Sequence, residues 1–226
     1  MVFHLGLLKV RLSKAIQFLF YIFYPTSCIA CGDLIAYAAV LCCRCWGDIK
    51  QITSVYLPLK KNTEMPVYAA TAYQDPIKKL VLAKFLYHYV ASKQLAQIML
   101  ELLPKKSFEV DYLVPIPLHW SRHMWRGYNQ SLVIAQYLSK NTGIPVLLAL
   151  RRPRRTMYQW RCDKTGRVDN VRDAFVVSAQ GKALENKRVL LIDDLCTTGA
   201  TLQSAAKTLL QVQPSQISAA VGCRAL

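Results

Sequence analysis

One stretch of the chain decides the fold: Val189-Leu190-Leu191-Ile192-Asp193-Asp194-Leu195-Cys196-Thr197-Thr198-Gly199-Ala200-Thr201. Its first four residues are all apolar, which is typical of a strand buried inside a parallel sheet. Two acids and a small polar loop then lead into a helical pattern. Because ligands of open α/β sheets bind where the strands end at their carboxyl side, we expect this loop to form a binding site.

The loop has the chemistry of an anion site. Its residues are Thr197, Thr198, Gly199, Ala200 and Thr201. Backbone N–H groups at a helix start attract phosphate, and threonine hydroxyls add hydrogen bonds. Asp193 and Asp194 would repel a phosphate unless they accept hydrogen bonds from ribose hydroxyls or hold magnesium beside a pyrophosphate. The simpler alternative is a strand that ends in a solvated turn before a capped helix.

Strands and helices alternate on either side of this stretch. The apolar patterns predict strands at 67–71, 112–116, 146–150, 189–192 and 217–221, and helices at 75–103, 129–140 and 201–210. Such alternation predicts a parallel sheet with helices on both faces. A break near residues 50–66 divides the chain into an N-terminal module at 1–55 and the α/β domain at 56–226.

Cysteines cluster ahead of that break. Cys28-x-x-Cys31 precedes Cys42-x-x-Cys45, and two such turns are the usual way to build a closed tetrahedral Zn–S4 site. Cys43 has the wrong spacing for a ligand. Two disulfides, buried free thiols and a small iron–sulfur cluster are the alternatives, but clustering favours structural zinc in a reducing compartment.

The charge and the N-terminus bear on partners and location. A net charge of +16 over 226 residues favours acidic partners such as nucleic acid, phosphorylated metabolites or an anionic membrane surface. Residues 18–24 are rich in aromatics and predict an amphipathic helix, and the sequence contains neither a transmembrane span nor a small-x-small cleavage pattern. We expect a cytoplasmic protein, with association at the inner membrane as a minority option.

The stretch 189–201 closely resembles the phosphoribosyl diphosphate loop of type I phosphoribosyltransferases. That resemblance implies a Rossmann-like five-stranded parallel sheet with a variable hood. It also implies that Asp193 and Asp194 contact the ribose hydroxyls, that residues 197–201 hold the 5-phosphate, and that magnesium accompanies the ligand.

Two further stretches resemble the ComF competence proteins. These are Val114-Pro115-Ile116-Pro117-Leu118 and Arg126-Gly127-Tyr128-Asn129-Gln130. Arg122 and Arg126, four residues apart, are candidates for clamping a diphosphate, with a solvated basic face as the alternative. His119 and His123 are weaker acid–base candidates. The resemblance implies a role in natural transformation, handling incoming single-stranded DNA on the cytoplasmic side of the inner membrane.

An arginine-rich tract supports contact with DNA. It interleaves cations with stackable aromatics, as sequence-tolerant single-strand binding requires, and its members are Arg151, Arg152, Arg154, Arg155, Tyr158 and Trp160. The alternatives are a disordered basic loop and a lid over pyrophosphate, and we weigh the lid and DNA contact equally. Three hypotheses therefore follow. The first, which we favour, is a ligand-binding module for DNA uptake. The second is a phosphoribosyltransferase of unknown acceptor and catalytic residues, and the third is an adaptor that docks a DNA-uptake helicase or inner-membrane channel.

Overall fold

A five-stranded sheet forms the centre of the molecule. The computed structural model describes residues 27–35, 39–60, 63–82, 88–118, 128–152 and 174–225. The strands are β1 (Val55–Lys60), β2 (Thr63–Ala72), β3 (Tyr112–Pro115), β6 (Arg188–Cys196) and β7 (Gln216–Arg224), and β4 (Leu150–Arg151) and β5 (Val176–Val177) form a separate pair. The spatial order is β1-β2-β7-β6-β3. All neighbours in the main sheet are parallel except β1 and β2, which are antiparallel.

Helices cover both faces of this sheet. They are α1 (Cys43–Gly47), α2 (Ile77–Leu82), α3 (His88–Leu102), α4 (Gln130–Thr142) and α5 (Ala200–Leu209), with 3₁₀ turns at Lys105–Phe108, Ala179–Leu184 and Leu210–Val212. One core packs α2, α3, α4 and the cysteine segment against one sheet face. The other core packs α5 and the β4–β5 region against the opposite face. The predicted α/β architecture with helices on both faces is confirmed.

The central strands explain why the sheet is stable. Residues 189–192 of β6 are fully buried, which matches the apolar run that the sequence placed in a parallel strand. The β6 strand is longer than predicted and continues through both acids to Cys196, because Asp193, Leu195 and Cys196 still pair with β7. The carboxyl edge of the sheet therefore carries the acids on ordered strand backbone.

The structure differs from the predicted sheet in two places. The sequence predicted a break near residues 50–66, yet β1 pairs there with β2, and Lys60 lies opposite Thr63. Pro58 obscured this strand, and β1 tolerates a proline because it lies at the sheet edge. The sheet is consequently mixed rather than wholly parallel. The proposed division at residue 55 stays a prediction.

The segment predicted as a strand at 146–150 also differs. Val146 makes a single parallel bridge to Leu113. The chain then leaves the main sheet because Ser178 donates from its backbone N to Ala149 O at 2.8 Å and from Oγ to Leu148 O at 2.7 Å. In this segment, Leu150 and Arg151 pair with β5 in an antiparallel arrangement.

The helix predicted at 75–103 is described as α2 and α3, and residues 83–87 between them lie outside the described residues. The aromatic helix predicted near 18–24 also lies outside them. No helix among the ranges described above is long and apolar enough to cross a bilayer.

Candidate ligand site and cysteine centre

Asp193 is held in place at the carboxyl end of β6. Its Oδ1 accepts a hydrogen bond from Ser131 Oγ at 2.8 Å and another from the backbone N of Asp194 at 3.0 Å. Asp193 is half-buried, as is Asp194, whereas Ser131 is only 2% exposed. A carboxylate with two donors on one oxygen has a fixed orientation before any ligand arrives, which is the property a hydroxyl-binding acid needs.

Ser131 was not identified by the sequence reasoning. It lies in the first turn of α4, directly after the Asn129-Gln130 part of the motif. Asn129 Oδ1 accepts from Ser131 N at 3.1 Å and so caps the helix, while Asn129 Nδ2 donates to Ile116 O at 3.1 Å. Ile116 N in turn donates to Ile192 O at 3.0 Å. These bonds fix the start of α4 against the ends of β3 and β6.

The predicted anion loop joins β6 to α5. Thr197 and Thr198 are exposed, and Thr198 Oγ1 accepts from Ala200 N at 3.4 Å. Gly199 has a φ of +77°, a left-handed conformation that favours glycine. The loop therefore presents two hydroxyls and a helix start to solvent, an arrangement suited to an anion.

Strand β1 packs against this loop. A Cβ added to Gly199 would overlap the side chain of Leu57, so β1 packs directly against the glycine. Gln203 of α5 donates from Nε2 to Pro58 O at 3.0 Å, which ties the first turn of the helix to the same strand. The strand missed by the sequence analysis is thus part of the support for the site.

Charges surround the buried thiol of Cys196 just before the loop. Burial raises the pKa of this thiol, and the negative charge of Asp193 raises that pKa further. Arg224 opposes both effects, so its positive charge acts on the same thiol from the end of β7. Cys196 is consequently a neutral, buried neighbour of the acids and stays protonated near neutral pH.

The other predicted ligand contacts are not all described. Arg122, Arg126, His119 and His123 lie outside the described residues, as do residues 153–173 with Arg154, Arg155, Tyr158 and Trp160. Arg151 is exposed in β4, and the guanidinium of Arg152 lies 5.3 Å from the ring centroid of Phe175.

The four predicted metal-binding cysteines come together in space. The ligand atoms of Cys28, Cys31, Cys42 and Cys45 all lie within 4.8 Å of one another, and the sulfurs of Cys31 and Cys42 are 3.6 Å apart. Tetrahedral zinc with bonds of ~2.3 Å places its sulfurs about 3.8 Å apart. The cluster therefore fits a metal ion such as zinc, and Cys43 remains outside it.

Local hydrogen bonds favour the thiolate form of one cysteine in the cluster, Cys28, whereas the pKa values of the Cys31 and Cys45 thiols are raised. Burial raises the pKa of the Cys28 thiol, but backbone N–H groups at residues 31, 42 and 30 outweigh that effect and bring its pKa down to about 6. A thiol with this pKa is mostly thiolate at neutral pH, and the thiolate is the form that binds metal. Arg44 donates to Asp33 Oδ2 at 2.8 Å beside the cluster.

The cysteine segment is anchored to the α/β core. Trp46 Nε1 donates to Glu101 Oε2 at 3.2 Å, and Val40 N donates to Gln94 Oε1 at 3.0 Å, both on α3. Lys79 of α2 donates to Ala30 O at 2.9 Å. Cys28 and Cys45 are buried in the same core as α2 and α3, so the cysteine cluster and that face of the sheet share their packing.

A comparison with known families decides the assignment of the fold. The family model described as the phosphoribosyl transferase domain matches residues 92–226, more than half of the chain. The chain belongs to this phosphoribosyl transferase family. The matched residues include Ser131, both acids and the loop of residues 197–201.

Curated relatives confirm the predicted resemblance to ComF proteins. The chain is 33% identical over 106 residues to competence protein F of Haemophilus influenzae, covering 46% of each protein. It is 33% identical to competence protein ComFC of Bacillus subtilis, covering 48% of this chain and 40% of that protein. Against these two relatives the chain thus spans less than half of their length. A longer alignment, 27% identical, links 88% of the chain to 90% of the DNA utilization protein YhgH of Salmonella typhimurium.

Solved structures give more distant matches. An allosteric regulatory enzyme of purine biosynthesis matches 60% of this chain and 26% of its own, with 20% identity and a TM-score of 0.43. A purine phosphoribosyltransferase from Pyrococcus horikoshii matches 57% of this chain and 67% of its own, with 17% identity and a TM-score of 0.32.

Proposed function

We propose that the chain is a DNA-uptake protein whose phosphoribosyl transferase domain binds phosphoribosyl diphosphate with magnesium. In this proposal Asp193 and Asp194 accept hydrogen bonds from the ribose hydroxyls. The 5-phosphate lies on the loop of residues 197–201. The observation that carries the proposal is the fixed Asp193 carboxylate, held by Ser131 beside an exposed threonine loop.

The residues present fit magnesium as well as ribose. Magnesium prefers oxygen ligands and keeps several waters, so it suits two half-buried carboxylates at a solvent-facing sheet edge. Asp193 and Asp194 are the residues that would hold the ion, directly or through water. When bound, magnesium would neutralise part of the diphosphate charge and relieve its repulsion by the carboxylates.

Calorimetric titration with phosphoribosyl diphosphate and magnesium tests this proposal. Wild-type protein should show saturable binding, and Asp193→Asn with Asp194→Asn should abolish it because amides do not replace the charge. Asp111→Asn is a matched control, since Asp111 pairs with Arg188 at the opposite end of the sheet. Equal affinity in the wild type and the double variant would show that the two acids do not bind the ligand.

The relatives' names support a role in DNA uptake, which we propose as the biological setting. Two curated relatives are called competence proteins, and a third is called a DNA utilization protein. The net charge of +16 favours a polyanion. In this proposal the arginine-rich tract, from Arg151 to Trp160, contacts single-stranded DNA.

Salt-dependent binding tests the DNA contact. Affinity for a single-stranded oligonucleotide should fall steeply with salt, and Arg154→Ala with Arg155→Ala should weaken the affinity and reduce the slope, because two phosphate contacts are lost. Lys105→Ala with Lys106→Ala removes the same charge from the exposed turn after α3 and serves as the control. If both pairs weaken binding equally, the effect is general charge and the tract has no special role.

We assign the cysteine centre to zinc in a structural role. Four thiolates close the tetrahedral coordination sphere and leave no position for a substrate. Through the core it shares with α2 and α3, the ion would stabilise one face of the sheet.

The match to a transferase family favours enzyme activity as a second candidate function. The reaction would release pyrophosphate from the donor when an acceptor base or amine is added. A pyrophosphate assay across nucleobases and amines tests it, and release that requires one acceptor would establish transfer. An adaptor role through residues 1–24 is compatible with either function. It predicts that deleting these residues spares ligand binding and abolishes capture of an uptake helicase or membrane channel.

A further inference from the structure

Arg224 occupies a central position at the carboxyl edge of the sheet. It is the last residue of β7, the strand that lies between β2 and β6. In register it pairs with Cys196 on one side and with Ala72 on the other. Its backbone O accepts from Tyr73 N at 2.8 Å, and the next residue, Ala225, donates to Cys196 O at 2.9 Å. The backbone that presents this side chain is therefore ordered on both sides.

The guanidinium has unused hydrogen-bonding capacity. Arg224 is half-buried, and its Nε is shielded from solvent with no hydrogen-bond partner in the part of the chain that the structure describes. A buried donor without an acceptor is costly, and the cost is larger for a charged group. An anion bound by the part of this half-buried side chain that solvent reaches would offset the cost of burying its charge.

The surroundings favour an anion attached to a sugar. Cys196 pairs in register with Arg224 and follows Asp193 by three residues on β6, and the two charged groups act with opposite sign on its thiol, so a cation and an acid both lie near that residue. Ser131 holds Asp193 from the first turn of α4, whereas Arg224 lies at the end of β7, the strand next to β6. A molecule that offers hydroxyls to Asp193 and a negative group toward β7 would satisfy both side chains.

We propose that Arg224 binds the diphosphate arm of the ligand and thereby distinguishes phosphoribosyl diphosphate from ribose 5-phosphate, an inference that rests on the proposed function. The 5-phosphate already has the helix start and the threonine hydroxyls of residues 197–201. The diphosphate has no other assigned cation among the described residues. Arg224 is therefore a specificity-determining residue in the donor site.

Paired titrations test this assignment. Wild type, Arg224→Met and Arg224→Lys are titrated with magnesium and either phosphoribosyl diphosphate or ribose 5-phosphate. Loss of a charge-assisted contact should weaken phosphoribosyl diphosphate binding by roughly 10- to 100-fold in Arg224→Met. Arg224→Lys should be intermediate because a lysine keeps the charge and loses the fork geometry. Ribose 5-phosphate affinity should change by less than about twofold, since the diphosphate contact is absent there.

Arg188→Met is the matched control, because Arg188 lies at the opposite end of β6 and pairs with Asp111. Thermal unfolding shows that each variant folds, and Arg224→Lys retains the charge if Arg224→Met does not fold. Unchanged affinity for phosphoribosyl diphosphate overturns the inference, and so does an equal loss for both ligands, which would place Arg224 at the 5-phosphate or in the fold. Failure of the wild type to bind either ligand would instead contradict the proposed function.

Discussion

Replacing Ser131 with alanine should lower the affinity for the ribose ligand indirectly, through the loss of its hydrogen bond to Asp193. The Ser131 hydroxyl donates to Asp193 Oδ1 at 2.8 Å and is almost fully buried, so alanine removes the bond and leaves little room for water. A hydrogen bond to a charged group contributes about 1.5–3 kcal/mol. Asp193 keeps the bond from Asp194 N at 3.0 Å, so we expect the lower value. About 1.5 kcal/mol corresponds to roughly a tenfold loss of affinity.

The assay is calorimetric titration of Ser131→Ala with ribose 5-phosphate and with phosphoribosyl diphosphate, each with magnesium. Both ligands carry the ribose hydroxyls, so both affinities should fall by a similar factor. Ser139→Ala is the control, because Ser139 lies on the same helix and no side-chain hydrogen bond to it is observed among the described residues. Wild-type affinity in Ser131→Ala, with the fold intact, would refute the claim that this bond organises the site.

Two further predictions concern the cysteine cluster and the loop of residues 197–201. Purified protein should contain stoichiometric zinc, and Cys45→Ser should lose the metal and lower the unfolding temperature. Cys43→Ser, at an exposed position outside the cluster, should keep the zinc and the wild-type unfolding temperature. Protein with neither zinc nor another metal at full occupancy would contradict this prediction. Gly199→Ala should destabilise the fold by about 1–3 kcal/mol in urea unfolding, because Gly199 has a left-handed φ and contacts Leu57. Gly47→Ala is the control and should be less destabilising, because a Cβ at Gly47 meets open space. Equal stability of the two variants would contradict this prediction.

Local signals located the loop of residues 197–201 and several element boundaries. The apolar run at 189–192, the following acids and Gly199 are neighbours in sequence, so their pattern alone placed a strand, a loop and a helix correctly. Asn129 was likewise recognisable as part of a motif, and the structure shows it capping α4. The CxxC spacing likewise pointed to the four cysteines that lie together, because the two cysteines of each pair are only three positions apart.

Contacts between distant residues were beyond reach of such signals. Ser131 and Asp193 are 62 positions apart, and in the sequence Ser131 looks like any other polar residue in the first turn of a helix. The packing of Leu57 under Gly199 depends on β1, which Pro58 concealed. Arg224 gave no signal either, because its position at the sheet edge follows from the order of strands rather than from its neighbours in sequence. The support of the site is therefore tertiary, while its chemistry is largely local.

A crystal structure of the chain grown with saturating phosphoribosyl diphosphate and magnesium tests the central claim most directly. We expect the ribose hydroxyls at Asp193 and Asp194 and the 5-phosphate on the loop of residues 197–201. A fully occupied ligand elsewhere on the molecule, or an empty carboxyl edge at saturating ligand, would contradict it.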